Sequence, residues 1–156
     1  MLSYRLANPE QYETFFDLMV AESSAYIHTT LQLMGADLDE FSQLFRTVGE
    51  VYGVYQDGAL AGFYWVEVRE TVLHLHGLIL RPKFQGQGIG QAVLIYLEEQ
   101  YFERVEAIEL GVHRSNERAI ALYEKQGYRT VRAFADLGFY VMQKQPDKKA
   151  YTGEKG

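Results

Sequence analysis

The sequence predicts one α/β domain of the α+β kind, in which helices flank a mixed, mostly antiparallel sheet of about seven strands. Three observations support this prediction. The length of 156 residues suits one domain, and a hydrophobic fraction of 47% can fill one core. Three β-rich runs lie in the middle of the chain, and a glycine-rich turn then leads into alternating helix and strand patterns. No repeat or long linker divides the chain, so we expect a domain over residues 1–145 and a polar, frayed tail over residues 146–156.

The N-terminal residues predict a short strand followed by a helix. The strand pattern runs from Tyr4 to Ala7. Asn8, Pro9 and Gln11 then occupy the N-cap, first-turn and N3 positions of a helix, and each residue type is favoured at its position. The helix has one apolar face, formed by Tyr12, Phe15, Phe16 and Met19.

Two more helices are expected before the central strands begin. Asp37 followed by Glu40 is a second capping pattern, and it precedes an apolar helix face made of Leu38, Phe41, Leu44, Phe45 and Val48. The spacing of Ile27, Thr30, Leu31 and Met34 predicts a further short helix between the two capped ones.

The middle of the chain predicts an antiparallel meander of three strands. The runs Val51 to Gln56 and Ala59 to Glu67 are joined by Asp57-Gly58, a strong hairpin signal. A third run, Val72 to Leu80, follows after a short polar turn.

The pattern changes after this meander. A glycine-rich turn opens a helix whose apolar face contains Ile89, Val93, Leu94, Leu97 and Tyr101. The remaining elements are a strand, a helix and a closing hairpin, predicted over Ala107 to Val112, Asn116 to Gln126, Val131 to Phe134 and Phe139 to Gln143.

The composition excludes several classes of function. The chain has no cysteine, which removes disulfides, thiolate metal sites and acyl transfer through a cysteine thioester. The net charge of −6 disfavours nucleic acid as a partner. No long apolar run or signal-peptide pattern is present, so we expect no membrane partner and a cytoplasmic protein. Twelve tyrosines and nine phenylalanines are many for this length, and some should line a cavity or an interface, such as that of a homodimer.

The segment Gln85 to Gly90 follows a strand and opens a helix, an arrangement that aims backbone N–H groups at an anion. A dinucleotide-binding fingerprint beginning at Gly86 would need a third glycine where Gln91 stands, and the Gly-Lys-Ser/Thr of a P-loop is absent. The order Gln85, Gly88, Gly90 instead resembles the acyl-CoA signature of the GNAT superfamily of N-acetyltransferases.

A second segment, Leu110 to Tyr128, resembles the other hallmark of that family: a strand, an asparagine, a helix with a tyrosine, and a Gly-aromatic exit. Asn116 can cap the helix, and Tyr123 lies seven residues later on the same face, about 10 Å along the axis. The predicted order of strands and helices also follows the GNAT order over most of the chain. In that fold, two central strands splay apart to admit acyl-CoA.

The resemblance implies an N-acetyltransferase that moves an acetyl group from acetyl-CoA directly to a primary amine, with a small molecule as the expected acceptor. A protein N-terminus or lysine as acceptor, and a catalytically silent acyl-CoA-binding module, are alternatives. Tyr123 would be the catalytic acid that protonates the sulfur of the departing CoA. Asn116 would bind the pantetheine arm, and the glycine turn would bind the pyrophosphate. The implied acetyl-CoA-binding residues are Leu78, Ile79, Leu80, Gln85, Gly86, Gln87, Gly88, Ile89, Gly90, Asn116 and Tyr123.

His74 and His76 alternate along the strand before the glycine turn, so both side chains should leave the same face. The family often places a base for the acceptor amine on this strand, which makes both histidines candidate catalytic residues, although packing is an equally simple role. A metal site would need a third ligand that is not evident, so no metal is expected. Glu22 and Glu67 are further candidate bases, and Tyr26 and His28 lie in the segment expected to form the acceptor pocket.

Overall fold

The computed structural model describes residues 1–147, and within them the expected strands and helices occur in the expected order. The strands are β1 (Leu2–Leu6), β2 (Glu50–Gln56), β3 (Ala59–Arg69), β4 (Val72–Leu80), β5 (Ala107–His113), β6 (Arg129–Phe134) and β7 (Phe139–Lys144). The α-helices are α1 (Pro9–Glu22), α2 (Ile27–Met34), α3 (Leu38–Thr47), α4 (Ile89–Tyr101) and α5 (Glu117–Lys125). Residues 148–156 of the predicted tail lie outside the described residues.

The strands form one seven-stranded sheet in the order β1-β2-β3-β4-β5-β7-β6. Among residues 1–147, the β4–β5 pair alone is parallel, and the other neighbouring strands are antiparallel. This confirms the predicted mixed, mostly antiparallel sheet. The described helices include none that is long and apolar enough to cross a membrane.

Helices cover both faces of the sheet, because apolar side chains alternate along the strands and must be buried on each side. On one face, α1 and α3 bury a cluster rich in aromatic rings that includes Phe15, Phe45, Phe63 and Trp65. On the other face, α4 and α5 pack through Val93, Leu94, Leu97 and Tyr123 against the central strands. The helices α4 and α5 therefore rest on a buried apolar core.

Local sequence signals account for the helix starts. Asn8 and Gln11 form a reciprocal capping box at α1, with Asn8 Oδ1 accepting the Gln11 N–H at 3.0 Å. Asp37 and Glu40 form the same motif at α3, with a 2.8 Å bond from the Glu40 N–H to Asp37 Oδ1. Both predicted capping patterns are confirmed.

The hairpin turns follow the residue types that the sequence places there. Asp57 and Gly58 both have positive φ, 51° and 85°, as a two-residue turn matching the twist of β2 and β3 requires. The β3 strand extends to Arg69, two residues beyond its predicted end, and the turn into β4 passes through Glu70 with φ 54°.

The strands β4 and β5 separate halfway along their length. Their parallel pairing runs only from Val72 opposite Ala107 to Leu75 opposite Leu110, whereas β4 continues to Leu80. A register shift in the β3–β4 pairing leaves His76 as an extra residue at this point, and such a bulge bends the strand. The separation opens a cleft in the middle of the sheet.

Candidate active site

The cleft between the separated strands has a volume of about 490 Å³ and brings both sequence motifs together. It is lined by all but one of the residues predicted to bind acetyl-CoA: Leu78, Ile79, Leu80, Gln85, Gly86, Gly88, Ile89, Gly90, Asn116 and Tyr123. Gln87 is the exception, because its side chain points back and donates to the Lys83 carbonyl at 2.8 Å. The two motifs are thus opposite walls of one site.

The positions of the turn require glycine for different structural reasons. Gly86 and Gly88 have φ of 74° and 82°, a backbone conformation that costs little only for glycine. Gly88 is also the N-cap of α4 and provides no side-chain cap, so the first N–H groups of the helix are left for an anion. Gly90 has ordinary φ, but an added Cβ would lie 3.1 Å from the Leu122 side chain, so it allows close packing of α4 on α5.

The edge of β4 that faces the cleft carries backbone groups that β5 does not pair beyond Leu75. The Arg81 N–H donates to the Ala61 carbonyl of β3 at 2.8 Å, and successive residues of a strand direct their backbone groups to opposite edges. Leu80 and Leu78 therefore direct theirs toward the cleft. The Gln85 side-chain amide donates one hydrogen bond to the Leu80 carbonyl at 2.9 Å and another to Glu22 Oε1 at 2.8 Å. Its amide is thereby used within the protein.

Asn116 and Tyr123 lie on the cleft side of α5. Asn116 caps the helix, with Oδ1 accepting the Ala119 N–H at 3.3 Å. Tyr123 is buried, with 8% of its surface exposed, and its ring lies 5.9 Å from that of Tyr128. Burial, and to a lesser extent the nearby Tyr26 hydroxyl, raises the pKa of Tyr123 to about 12. The phenol therefore remains protonated throughout the physiological pH range.

His74 and His76 share one face of β4 as predicted, with ring centroids 5.9 Å apart and nearly parallel planes. Neither ring lines the cleft. His74 Nδ1 lies 3.4 Å from Glu109 Oε2, and His76 Nε2 lies 2.7 Å from Glu67 Oε1. Burial, followed by the charge of Arg69, lowers the pKa of His74, although Glu109 opposes the shift. Among residues 1–147, no group of three or more His, Asp or Glu side chains is placed to hold a metal ion.

The cleft also has lining residues outside the predicted binding set. Glu22 reaches it from the end of α1, Tyr26 from the connection after α1, and Arg118 from the first turn of α5. A methyl group added at Gly86 would lie 3.6 Å from Arg118 Nη2, which puts a cation beside the glycine turn. The position of Arg118, two residues after Asn116, is the sequence signal that could have indicated its place in the cleft. His28 is not in the cleft and instead lines a separate shallow pocket beside α2.

The chain belongs to the acetyltransferase (GNAT) family, whose family description matches residues 10–128. It is 33% identical over 103 residues to a mycothiol acetyltransferase from Propionibacterium freudenreichii, a match that covers 61% of this chain and 31% of that protein. It is 36% identical over 74 residues to the [ribosomal protein bS18]-alanine N-acetyltransferase of Escherichia coli, covering 47% of this chain and 50% of that protein. The chain therefore spans between about a third and half of the length of these relatives.

Solved structures show the same fold. The PaiA N-acetyltransferase of Thermoplasma acidophilum, in complex with coenzyme A, superposes with a TM-score of 0.71 at 18% identity over 93% of this chain and 99% of that one. The E. coli ribosomal-protein-S18-alanine N-acetyltransferase gives a TM-score of 0.65 at 21% identity over 93% and 94%. These structures confirm the predicted GNAT-like architecture.

Proposed function

We propose that this protein is an N-acetyltransferase that moves the acetyl group of acetyl-CoA directly to a primary amine, with a small molecule as the acceptor. One observation carries the proposal: where β4 and β5 separate, one cleft collects the glycine turn, the β4 edge, Asn116 and Tyr123. These groups come from distant parts of the sequence, and each meets a separate need of acyl-CoA chemistry.

Successive parts of the cleft suit successive parts of acetyl-CoA, from the pyrophosphate to the thioester. The amides at the start of α4 and the guanidinium of Arg118 suit the pyrophosphate, because both carry positive charge toward the same point. The backbone groups of Leu78 and Leu80 suit the amides of the pantetheine arm, and Asn116 suits the arm from the opposite wall. Tyr123 then lies where the thioester sulfur would end.

The transfer needs no covalent enzyme intermediate. A neutral amine attacks the thioester carbonyl, the Leu80 N–H stabilises the developing oxyanion, and Tyr123 protonates the departing thiolate. We assign the base that takes the amine proton to His74 or His76, each of which has a carboxylate beside it. Because neither ring lines the cleft, this proton transfer requires a bridging water.

An acidic protein favours a cationic or neutral acceptor. The net charge is −6, and Glu22 adds a carboxylate to the cleft itself. A protein N-terminus is the principal alternative acceptor, because the E. coli relative is named for acetylating an alanine of a ribosomal protein. The cytoplasmic location and the absence of a nucleic-acid partner remain predictions from the sequence.

Thiol release from acetyl-CoA tests this proposal. The purified protein is mixed with acetyl-CoA and a panel containing spermidine, an aminoglycoside, glucosamine, a peptide beginning with alanine and an internal-lysine peptide. We expect release with at least one small amine and no release without acceptor above the slow background. Release with the peptides alone would move the acceptor to the protein class. Calorimetric binding of CoA with no release for any amine would overturn the proposal in favour of a silent binding module.

A further inference from the structure

His76 stands at the point where β4 leaves β5. The parallel pairing of the two strands ends at Leu75, so His76 is the first residue of β4 beyond it. The His76 ring packs on the Trp65 ring, with centroids 4.9 Å apart and planes tilted by 49°. Trp65 is itself held by a 2.7 Å hydrogen bond from its indole N–H to the Val48 carbonyl. The His76 ring therefore rests on an anchored neighbour where the cleft opens.

His74 has a different position along the strand. It lies in the paired part of β4, opposite Glu109 of β5, and its Nδ1 is 3.4 Å from Glu109 Oε2. Leu78 and Leu80, which line the cleft, come after His76 on the same strand. Two residues of a strand span roughly 6 Å, so His76 is nearer to the cleft than His74 by about that distance.

The polar partner of His76 is Glu67 on β3, with His76 Nε2 and Glu67 Oε1 2.7 Å apart. An ionised carboxylate only accepts, so the imidazole Nε2–H is the donor and the neutral ring has its lone pair on Nδ1. Arg69, the next residue on the same face of β3, places its Nε 3.2 Å from the same carboxylate oxygen. Glu67 is thus held in place and fixes both the tautomer and the orientation of His76.

The face of the sheet that carries His76 has open space at the end of the β4–β5 pairing. Gly111 is exposed and follows Leu110, the last β5 residue paired with β4. Leu110 belongs to the core under α4 and α5, so Gly111 faces the opposite side of the sheet, with Trp65 and His76. A Cβ added at Gly111 would meet no atom within 4 Å. This space can hold the water that carries a proton to His76.

We propose that Glu67 is a positioning residue for the transfer reaction, which holds His76 as the base with Nδ1 free to take the amine proton. The proposal rests on the proposed function. Glu67 acts through His76 and is not itself the base, although the sequence made it a candidate for that role. Its effect is to keep the imidazole in the one neutral tautomer and orientation that leave Nδ1 available.

The proton balance of the reaction is closed. As the carbon–nitrogen bond forms, the amine nitrogen loses one proton through the water to His76 Nδ1. As the carbon–sulfur bond breaks, its electron pair goes to the sulfur, which takes the Tyr123 proton and gives the CoA thiol. The His76 imidazolium then returns its proton through solvent to the Tyr123 oxygen. The enzyme therefore ends each cycle in the protonation state in which it began.

Substitutions of Glu67 test the proposal in the whole chain. Glu67→Leu removes the acceptor of the His76 N–H, so turnover with the best amine of the panel should fall about tenfold, with the acetyl-CoA KM within about twofold of wild type. Glu67→Gln should recover most of the loss, because its amide oxygen can still accept. In the His76→Ala background, Glu67→Leu should change turnover less than about twofold. Glu106→Leu is the matched control, because Glu106 accepts from the Thr71 hydroxyl at 3.1 Å, before β4 and β5 begin.

Nitrogen NMR of the protein without acetyl-CoA measures the tautomer directly. The chain has four histidines, so histidine-labelled protein gives few signals, and His76→Ala identifies those of His76. We expect the neutral His76 ring to carry its proton on Nε2 and none on Nδ1. A proton on Nδ1 would overturn the proposal, and this result does not depend on how any Glu67 variant folds.

Two kinetic results would also overturn the proposal while leaving the acetyltransferase function intact. One is a Glu67→Leu enzyme that turns over like wild type. The other is an equal loss from Glu67→Leu with and without His76, which would mean that Glu67 acts independently of that ring. A wild-type protein that releases no thiol with any amine overturns the proposed function itself. Because the tautomer is measured without substrate, the two failures are distinguishable.

Discussion

The side-chain amide of Gln85 donates to the carboxylate of Glu22, with Nε2 and Oε1 2.8 Å apart. This bond links the end of α1 to the turn before α4, and the second hydrogen of the same amide is used by the Leu80 carbonyl. Gln85 is therefore a structural link at the mouth of the cleft, although it stands at the first position of the phosphate-binding motif.

We predict that Gln85→Ala lowers the free energy of unfolding by about 1 kcal/mol, because it leaves a carboxylate and a carbonyl without their partner. CoA affinity should change by less than about threefold, since backbone amides hold the phosphates. Denaturant unfolding and calorimetry with CoA measure the two effects. Gln87→Ala is the control, because Gln87 also bonds a carbonyl but does not line the cleft. A loss of CoA affinity above about tenfold in Gln85→Ala alone would make the Gln85 side chain a direct phosphate ligand.

Gly88→Ala should weaken CoA binding by about tenfold or more, because a methyl group at the helix start keeps the phosphate from at least one charge-assisted hydrogen bond. The positive φ of Gly88 also costs about 1–2 kcal/mol of stability once a Cβ is present. Gly58→Ala separates these effects, because Gly58 has nearly the same φ, 85° against 82°, and likewise no atom within 4 Å of an added Cβ. Both variants should lose similar stability by thermal unfolding, and only Gly88→Ala should lose affinity by calorimetry. Equal CoA affinities in the two variants would show that the turn is structural only.

Tyr123→Phe should reduce turnover by roughly 10²- to 10⁴-fold while leaving CoA affinity nearly intact, because it removes the acid and keeps the ring. A pKa of about 12 makes proton transfer to a free thiolate unfavourable, so the transfer must accompany carbon–sulfur cleavage in the water-poor site. Thiol release and CoA calorimetry are measured on the same preparation. Tyr128→Phe is the buried control, because the Tyr128 hydroxyl has no hydrogen-bond partner among the described residues. Near-normal turnover in Tyr123→Phe would assign the acid to water or to another residue.

The candidate histidine bases predict that the rate depends on pH. We propose a neutral imidazole as the base, so the rate should fall as the pH drops through the pKa of the essential ring. Because the pKa of His74 is lowered by burial and Arg69, a profile governed by His74 has its inflection below pH 6.5. We expect the inflection to disappear in either His74→Ala or His76→Ala and to persist in His28→Ala, because His28 is not on β4 and lines a separate pocket beside α2. Profiles that are identical in all three variants would leave His74 and His76 with a packing role.

Much of the fold could be read from local signals. The capping pairs Asn8–Gln11 and Asp37–Glu40 determine where two helices begin, because their side chains satisfy backbone groups only a few residues away. Asp57-Gly58 determines the hairpin for the same kind of reason, since few other residues adopt positive φ twice in succession. The residues that the two motifs predict to bind acetyl-CoA, apart from Gln87, line one cleft.

Only the tertiary structure decided where the cleft opens and which residues from other parts of the chain contact its walls. The opening between β4 and β5 depends on a bulge at His76, and a bulge is defined by pairing with another strand rather than by the residue itself. The stack of Tyr26 on His113 and the bond from Gln85 to Glu22 join residues 87 and 63 positions apart in the printed numbering. No local propensity determines such a contact, because it forms only when the helical layer and the sheet pack together. The sequence by itself predicted the acyl-CoA chemistry that we propose, and packing determined which N-terminal side chains line the same cleft.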